Sequence, residues 1–154
     1  MKMNEPVVGV TTESTRKPLD RENIYVIDID GTLTEPHNGT PWIAKPREDR
    51  IAVINEMYDA GDTIYLQTAR GFLHASKIHE DPLQIQIEQD NYARERTEAQ
   101  LKSWGVKYTK LFFGKPRAKL YVDDRGMKDG KFFAYNWKRL IEKITRRSYN
   151  HKAL

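Results

Sequence analysis

The sequence predicts an α/β domain built on a mainly parallel sheet with helices packed on both faces. Short strand-like runs recur at residues 24–27, 63–67, 110–113 and 120–122. Helical patterns separate them, as crossover connections between parallel strands require. Each run also ends on polar or charged residues, at the strand end where open α/β sheets bind ligands.

Residues 1–22 are rich in Thr, Glu, Lys and Pro with little apolar pattern, and read as a flexible leader. Residues 24–27 form a short apolar run that stops abruptly at carboxylates, as a buried parallel strand opening on a site should. Residues 31–46 carry Pro36, Asn38-Gly39, Pro41 and Pro46, which predicts a loop with a small turn at Asn38-Gly39. From Pro46, Ile51, Ile54, Met57 and Tyr58 recur at helical spacing up to a glycine stop at Gly61.

After the second strand, residues 71–91 show no strong pattern. A helix is expected over residues 92–104, ended by Gly105, and two short strands follow at 110–113 and 120–122. A last helix over residues 135–145 would carry Trp137, Leu140, Ile141 and Ile144 on one side. The organisation is thus a leader (1–22), one domain (23–145) and a basic tail (146–154), without internal repeats.

Composition excludes several chemistries. The chain of 154 residues has no cysteine, so disulfides, thiolate zinc sites, iron–sulfur clusters and cysteine nucleophiles are out. No apolar stretch approaches bilayer-spanning length, and the N-terminus lacks a signal-peptide core, so a cytoplasmic protein with no membrane partner is expected. The net charge of +4 is uneven. From residue 125 onward, nine Lys/Arg face two acidic residues, which makes that stretch +7 and the remainder −3. Such an end can attract nucleic acid, although solvated basic helix ends are common. His37, His74, His79 and His151 show no metal-type spacing and read as solvated or locally bonded, with His37 or His74 able to reach a substrate. Trp42, Trp104 and Trp137 read as packing residues.

The residues after the strands form one chemical inventory. Asp28 and Asp30 follow the first strand, Thr68 and Arg70 the second, Lys115 the third, and Asp123 and Asp124 the fourth. Carboxylates, a hydroxyl and cations together suit a hard metal ion and a phosphate. Two adjacent acids at the end of a buried strand repel each other and call for a cation. Gly114 and Pro116 favour a tight loop around Lys115.

Asp28-Ile29-Asp30-Gly31-Thr32, Thr68, Lys115 and Asp123-Asp124 resemble the four ordered motifs of the haloacid dehalogenase-like (HAD) superfamily, over about residues 24–125. Leu66-Gln67-Thr68-Ala69-Arg70-Gly71, Phe113-Gly114-Lys115-Pro116 and Tyr121-Val122-Asp123-Asp124-Arg125 most resemble its small capless phosphatases, including those of phage and surface-polysaccharide gene neighbourhoods. They are also similar to the phosphatase domain of polynucleotide kinases. The resemblance implies a Rossmann-like, doubly wound (HAD-like) sheet and a Mg²⁺-dependent phosphomonoester hydrolase.

In such an enzyme Asp28 attacks phosphorus to form an aspartyl-phosphate, and Asp30 acts as acid and base. Gly31 would permit the bend that Asp30 needs for this role. Thr68 donates its hydroxyl to a phosphoryl oxygen, and Lys115 steadies the negative charge. Asp28, the backbone carbonyl of Asp30, and Asp123 or Asp124 hold the magnesium. Arg70 either binds a second substrate anion or pairs with a carboxylate. An acid at position 30 points to phosphate hydrolysis within that superfamily.

Only 37 residues separate Asp30 from Thr68, and 46 separate Thr68 from Lys115, too few for a cap domain beside the core elements. An open site is expected, unless residues 71–91 or a partner cover it. A phosphosugar or nucleotide is the first substrate class. A nucleic-acid 3′-end phosphatase is the alternative, and a non-catalytic module for a phosphorylated ligand is the third.

Overall fold

The computed structural model describes residues 23–136, and the chain divides into two compact units, one ending at Lys119 and one starting at Leu120. The leader, the tail and most of the expected last helix lie outside the described residues.

The first unit runs β1 (Ile24–Asp28), α1 (Glu48–Asp59), β2 (Thr63–Gln67), α2 (Phe72–Ile78), α3 (Pro82–Ser103) and β3 (Lys110–Phe112). The three strands form one parallel sheet in the order β1-β2-β3. Parallel neighbours need crossovers, which α1 supplies between β1 and β2, and α2 with α3 between β2 and β3. The predicted mixed α/β architecture with a parallel sheet is present. The reversal of strand order that would make the sheet doubly wound is not seen among the described residues.

β2 is the central strand, and its Ile64 and Leu66 are fully buried. Each contributes about 1.5–3 kcal/mol by leaving water. α1 presents Ile51, Val53, Ile54 and Tyr58 to the core, and the α1–β2 connection turns on Gly61 at φ 103°. This left-handed conformation ends the helix where the glycine predicted it. The expected helix start at Pro46 moves to Glu48, because Pro46 bridges Thr34 in antiparallel fashion instead. With the Glu35 N–H to Lys45 carbonyl bond of 2.9 Å, that bridge closes residues 34–46 into a hairpin-like loop.

Most of residues 71–91 are helical, contrary to the patternless segment expected. They form α2 and the first half of a 22-residue α3. The hydrophobic period is weak because α3 buries Gln89, Ala93, Thr97 and Leu101 rather than a stripe of large apolar side chains. The expected helix over 92–104 is the second half of α3. No helix among the described residues is long and apolar enough to cross a membrane.

The second unit differs from expectation. Residues 120–122 form no strand, and Leu120, Tyr121 and Val122 are exposed at 74%, 51% and 89%. The apolar triplet reads as a strand in the sequence, but no backbone ladder is present there. Residues 129–136 are helical, and Phe133 is buried.

Candidate active site

The turn after β1 is built from its own backbone. The Ile29 carbonyl accepts N–H groups from Thr32, Leu33 and Thr34 at 3.2, 2.8 and 3.2 Å. Gly31 takes φ 77° and donates its N–H to the buried Thr34 hydroxyl at 3.0 Å. The chain can therefore leave the strand between Asp28 and Asp30, as the motif requires. Arg50 of α1 donates to the Thr32 carbonyl at 3.0 Å and ties the turn to the helix.

Asp28 closes β1, and its Oδ1 accepts the Lys115 ammonium at 3.1 Å while its Oδ2 accepts the Thr32 hydroxyl at 3.3 Å. Lys115 follows β3, on the far side of β2, so its side chain reaches across the end of the central strand. Burial pushes the Asp28 carboxyl above the usual carboxylate range, and the nearby lysine only partly counters that.

Asp30 is held differently. Arg70 donates from Nε to Oδ2 and from Nη2 to Oδ1, both at 2.8 Å, and the His37 Nε2 lies 2.9 Å from Oδ1. Burial works to raise its pKa, but Arg70 and then His37 outweigh burial and hold the carboxyl below its ordinary value. The two acids of one motif are thus separated in acidity by their partners.

Thr68 is fully buried immediately after β2. Its N–H bonds the Phe112 carbonyl at 3.1 Å, and its hydroxyl oxygen accepts the Arg70 N–H at 3.1 Å. The hydroxyl proton has no acceptor among the described residues.

Arg70 was expected to bind substrate or pair with a carboxylate, and the structure pairs it with Asp30. Its side chain is 1% exposed. Its remaining terminal nitrogen donates to Gln100 at 2.7 Å and Thr97 at 3.4 Å, so four of the five N–H groups are engaged inside the protein. Gln89 donates from its amide to the Arg70 and Lys115 carbonyls, both at 3.4 Å, and spans the loops after β2 and β3.

The structure therefore brings Asp28, Asp30, Arg70 and Lys115 together at the carboxyl ends of the three strands, with Thr68 at the end of the central one. Asp123 and Asp124 belong to the second unit, where Asp123 accepts the Arg125 N–H at 2.8 Å. That amide, followed by a hydrogen bond with Asp124, holds the Asp123 carboxyl below its usual range. Among the described residues, no three His, Asp or Glu side chains are gathered closely enough to hold a metal by themselves.

Sequence reasoning left Gln89, Thr97 and Gln100 unnoticed and gave His37 no assigned role. No local signal marks them: polar or small residues at 89, 93, 97 and 100 share one face of α3, a pattern that a solvated helix face also gives.

No family model matches the chain, and no curated protein matches it. Among solved structures, the chain is similar to a structural-genomics target from Vibrio cholerae, with TM-score 0.62 and 24% identity. The match covers 79% of this chain and 98% of that one. At this identity the likeness bears on the fold alone.

Proposed function

We propose that the protein is a magnesium-dependent phosphomonoester hydrolase of the HAD-like type, with Asp28 as nucleophile and Asp30 as general acid and base. The observation that carries this function is the contrast between the two carboxylates. Asp28 faces a single ammonium, whereas Asp30 is clamped by a guanidinium and an imidazole. Such divergent environments mark carboxylates with different tasks.

An oxygen of Asp28 attacks phosphorus, the bond from phosphorus to the ester oxygen breaks, and the leaving oxygen takes a proton from Asp30. Water then attacks the aspartyl-phosphate, gives its proton to Asp30 and releases inorganic phosphate with Asp28 restored. The clamp favours the ionised form of Asp30, which suits proton acceptance from water. In the first half Asp30 has to take up a proton before it can pass one to the leaving oxygen. Thr68 offers its unspent hydroxyl proton to the phosphoryl group, and Lys115 lowers the repulsion between Asp28 and the incoming phosphate.

The donors suit a hard cation. Asp28 is a half-buried carboxylate, and the Asp30 carbonyl accepts no hydrogen bond among the described residues. In sequence, Asp123 or Asp124 matches the remaining carboxylate of the resembled motif, and both belong to the second unit. Bound magnesium would screen the phosphoryl oxygens from the nucleophile.

A phosphosugar or nucleotide is the favoured substrate class. α1, α2 and α3 occupy the stretches in which a cap would be inserted, which supports an open cleft. The test is a screen of sugar phosphates, nucleotides and 3′-phosphorylated oligonucleotides with and without Mg²⁺. Magnesium-dependent release of phosphate from the first two classes is the expected result. Release from the oligonucleotide alone would move the substrate to nucleic-acid ends, and no release from any class would sink the proposal.

A further inference from the structure

The Asp30 clamp is part of a closed ring of contacts. Asp30 is bonded by Arg70 at 2.8 Å, and Arg70 is bonded in turn to the Gln100 side-chain oxygen at 2.7 Å. The Gln100 side-chain nitrogen donates to the Pro41 carbonyl at 2.9 Å. Residues 37–41 then lead back to His37, which touches Asp30 at 2.9 Å. A guanidinium can only donate and a carbonyl can only accept, so the orientation of the Gln100 amide is forced.

Two further contacts hold the same loop. Pro41 opens a short 3-10 turn to Ile43, and the guanidinium groups of Arg70 and Arg96 lie 5.3 and 3.9 Å from the centroid of the Trp42 ring. The loop is therefore fixed to α3 and to the cation that grips Asp30.

We propose that Gln100 is a positioning residue for Asp30: by tying Arg70 to the 37–41 segment, it makes loop position and Asp30 orientation change together. In the hydrolase proposed above, on which this role rests, Gln100 touches neither substrate nor metal and acts only through Arg70 and Pro41. An acid–base group must be held to within a fraction of an ångström, and loss of that hold can reduce turnover by about 10²-fold. A general packing role for Gln100 would instead be felt in stability and would leave His37 undisturbed.

The test compares the full-length wild type with Gln100→Met and Gln100→Glu. The methionine removes both hydrogen bonds at similar volume. The glutamate keeps an acceptor for Arg70 but sets an oxygen against the Pro41 carbonyl. Turnover of a sugar phosphate should fall roughly tenfold to a hundredfold in Gln100→Met with KM within about twofold. The side-chain resonance of His37, assigned by its loss in His37→Gln, should shift in both variants. The Arg70 Nε–H should exchange faster with solvent in Gln100→Met than in Gln100→Glu. Should Gln100→Met fail to fold, the His37 shift in Gln100→Glu decides the matter. An unmoved His37 resonance, or unchanged turnover in a folded Gln100→Met, would overturn the proposal. A wild type without phosphatase activity would overturn the enzymatic role, and the two resonances would still decide whether the ring couples loop to carboxylate.

Discussion

Arg70 grips both oxygens of Asp30, each at 2.8 Å, from a side chain that is 1% exposed. A bidentate guanidinium fixes the plane of a carboxylate, which a lysine cannot do. Arg70→Lys should therefore lower kcat by about 10–100-fold and leave KM within about twofold. Steady-state kinetics on one substrate checks this, and a large rise in KM alone would return Arg70 to substrate binding.

The same clamp sets a pH dependence. The folded-state pKa of Asp30 lies below its ordinary value. The stability it contributes is present above the unfolded pKa of about 4 and is lost as pH falls through the folded value. Arg70→Met should shrink that contribution, so the gap in stability between wild type and variant narrows as pH drops below about 4. Denaturant melts across that range measure it.

Asp28 has the opposite sign. Its folded pKa is raised, chiefly by burial, so the folded state holds its proton to higher pH than the unfolded chain. Its charge is a cost at neutral pH in metal-free protein. Asp28→Asn should raise the neutral-pH Tm while abolishing turnover, a stability–function trade-off. Calorimetry in chelator checks it, and a lower Tm would show that Lys115 compensates Asp28 fully.

Gly71 takes φ 81°, and a Cβ there would lie 3.2 Å from both the Cα and the carbonyl oxygen of Gln89. Backbone on α3 cannot swing aside as a side-chain end can. Gly71→Ala should destabilise by more than about 1 kcal/mol, read as a lower urea midpoint with an unchanged slope.

Much of this geometry was legible in the sequence because it follows from local rules. A strand ending on Asp28, a glycine permitting the bend at position 31 and a glycine stop at Gly61 are each written within a few residues. The long-range braces were not legible. The residue that α3 buries in its first half is the polar Gln89, so that half carried no hydrophobic period, and the partners of Arg70 sit 27 to 40 residues away in the chain. Residues 120–122 misled in the other direction. An apolar triplet resembles a strand wherever it occurs, whereas a ladder needs a neighbour that no local pattern can supply.

The decisive measurement is chemical trapping of the intermediate. Turnover with a sugar phosphate and Mg²⁺ is quenched, the acyl-phosphate is reduced with borohydride, and the modified position is read by peptide mass spectrometry. Reduction of Asp28 to homoserine, absent without substrate and absent in Asp28→Asn, is the predicted result. Phosphate release with no modification at Asp28, or undiminished release by Asp28→Asn, would contradict the assignment of Asp28 as nucleophile.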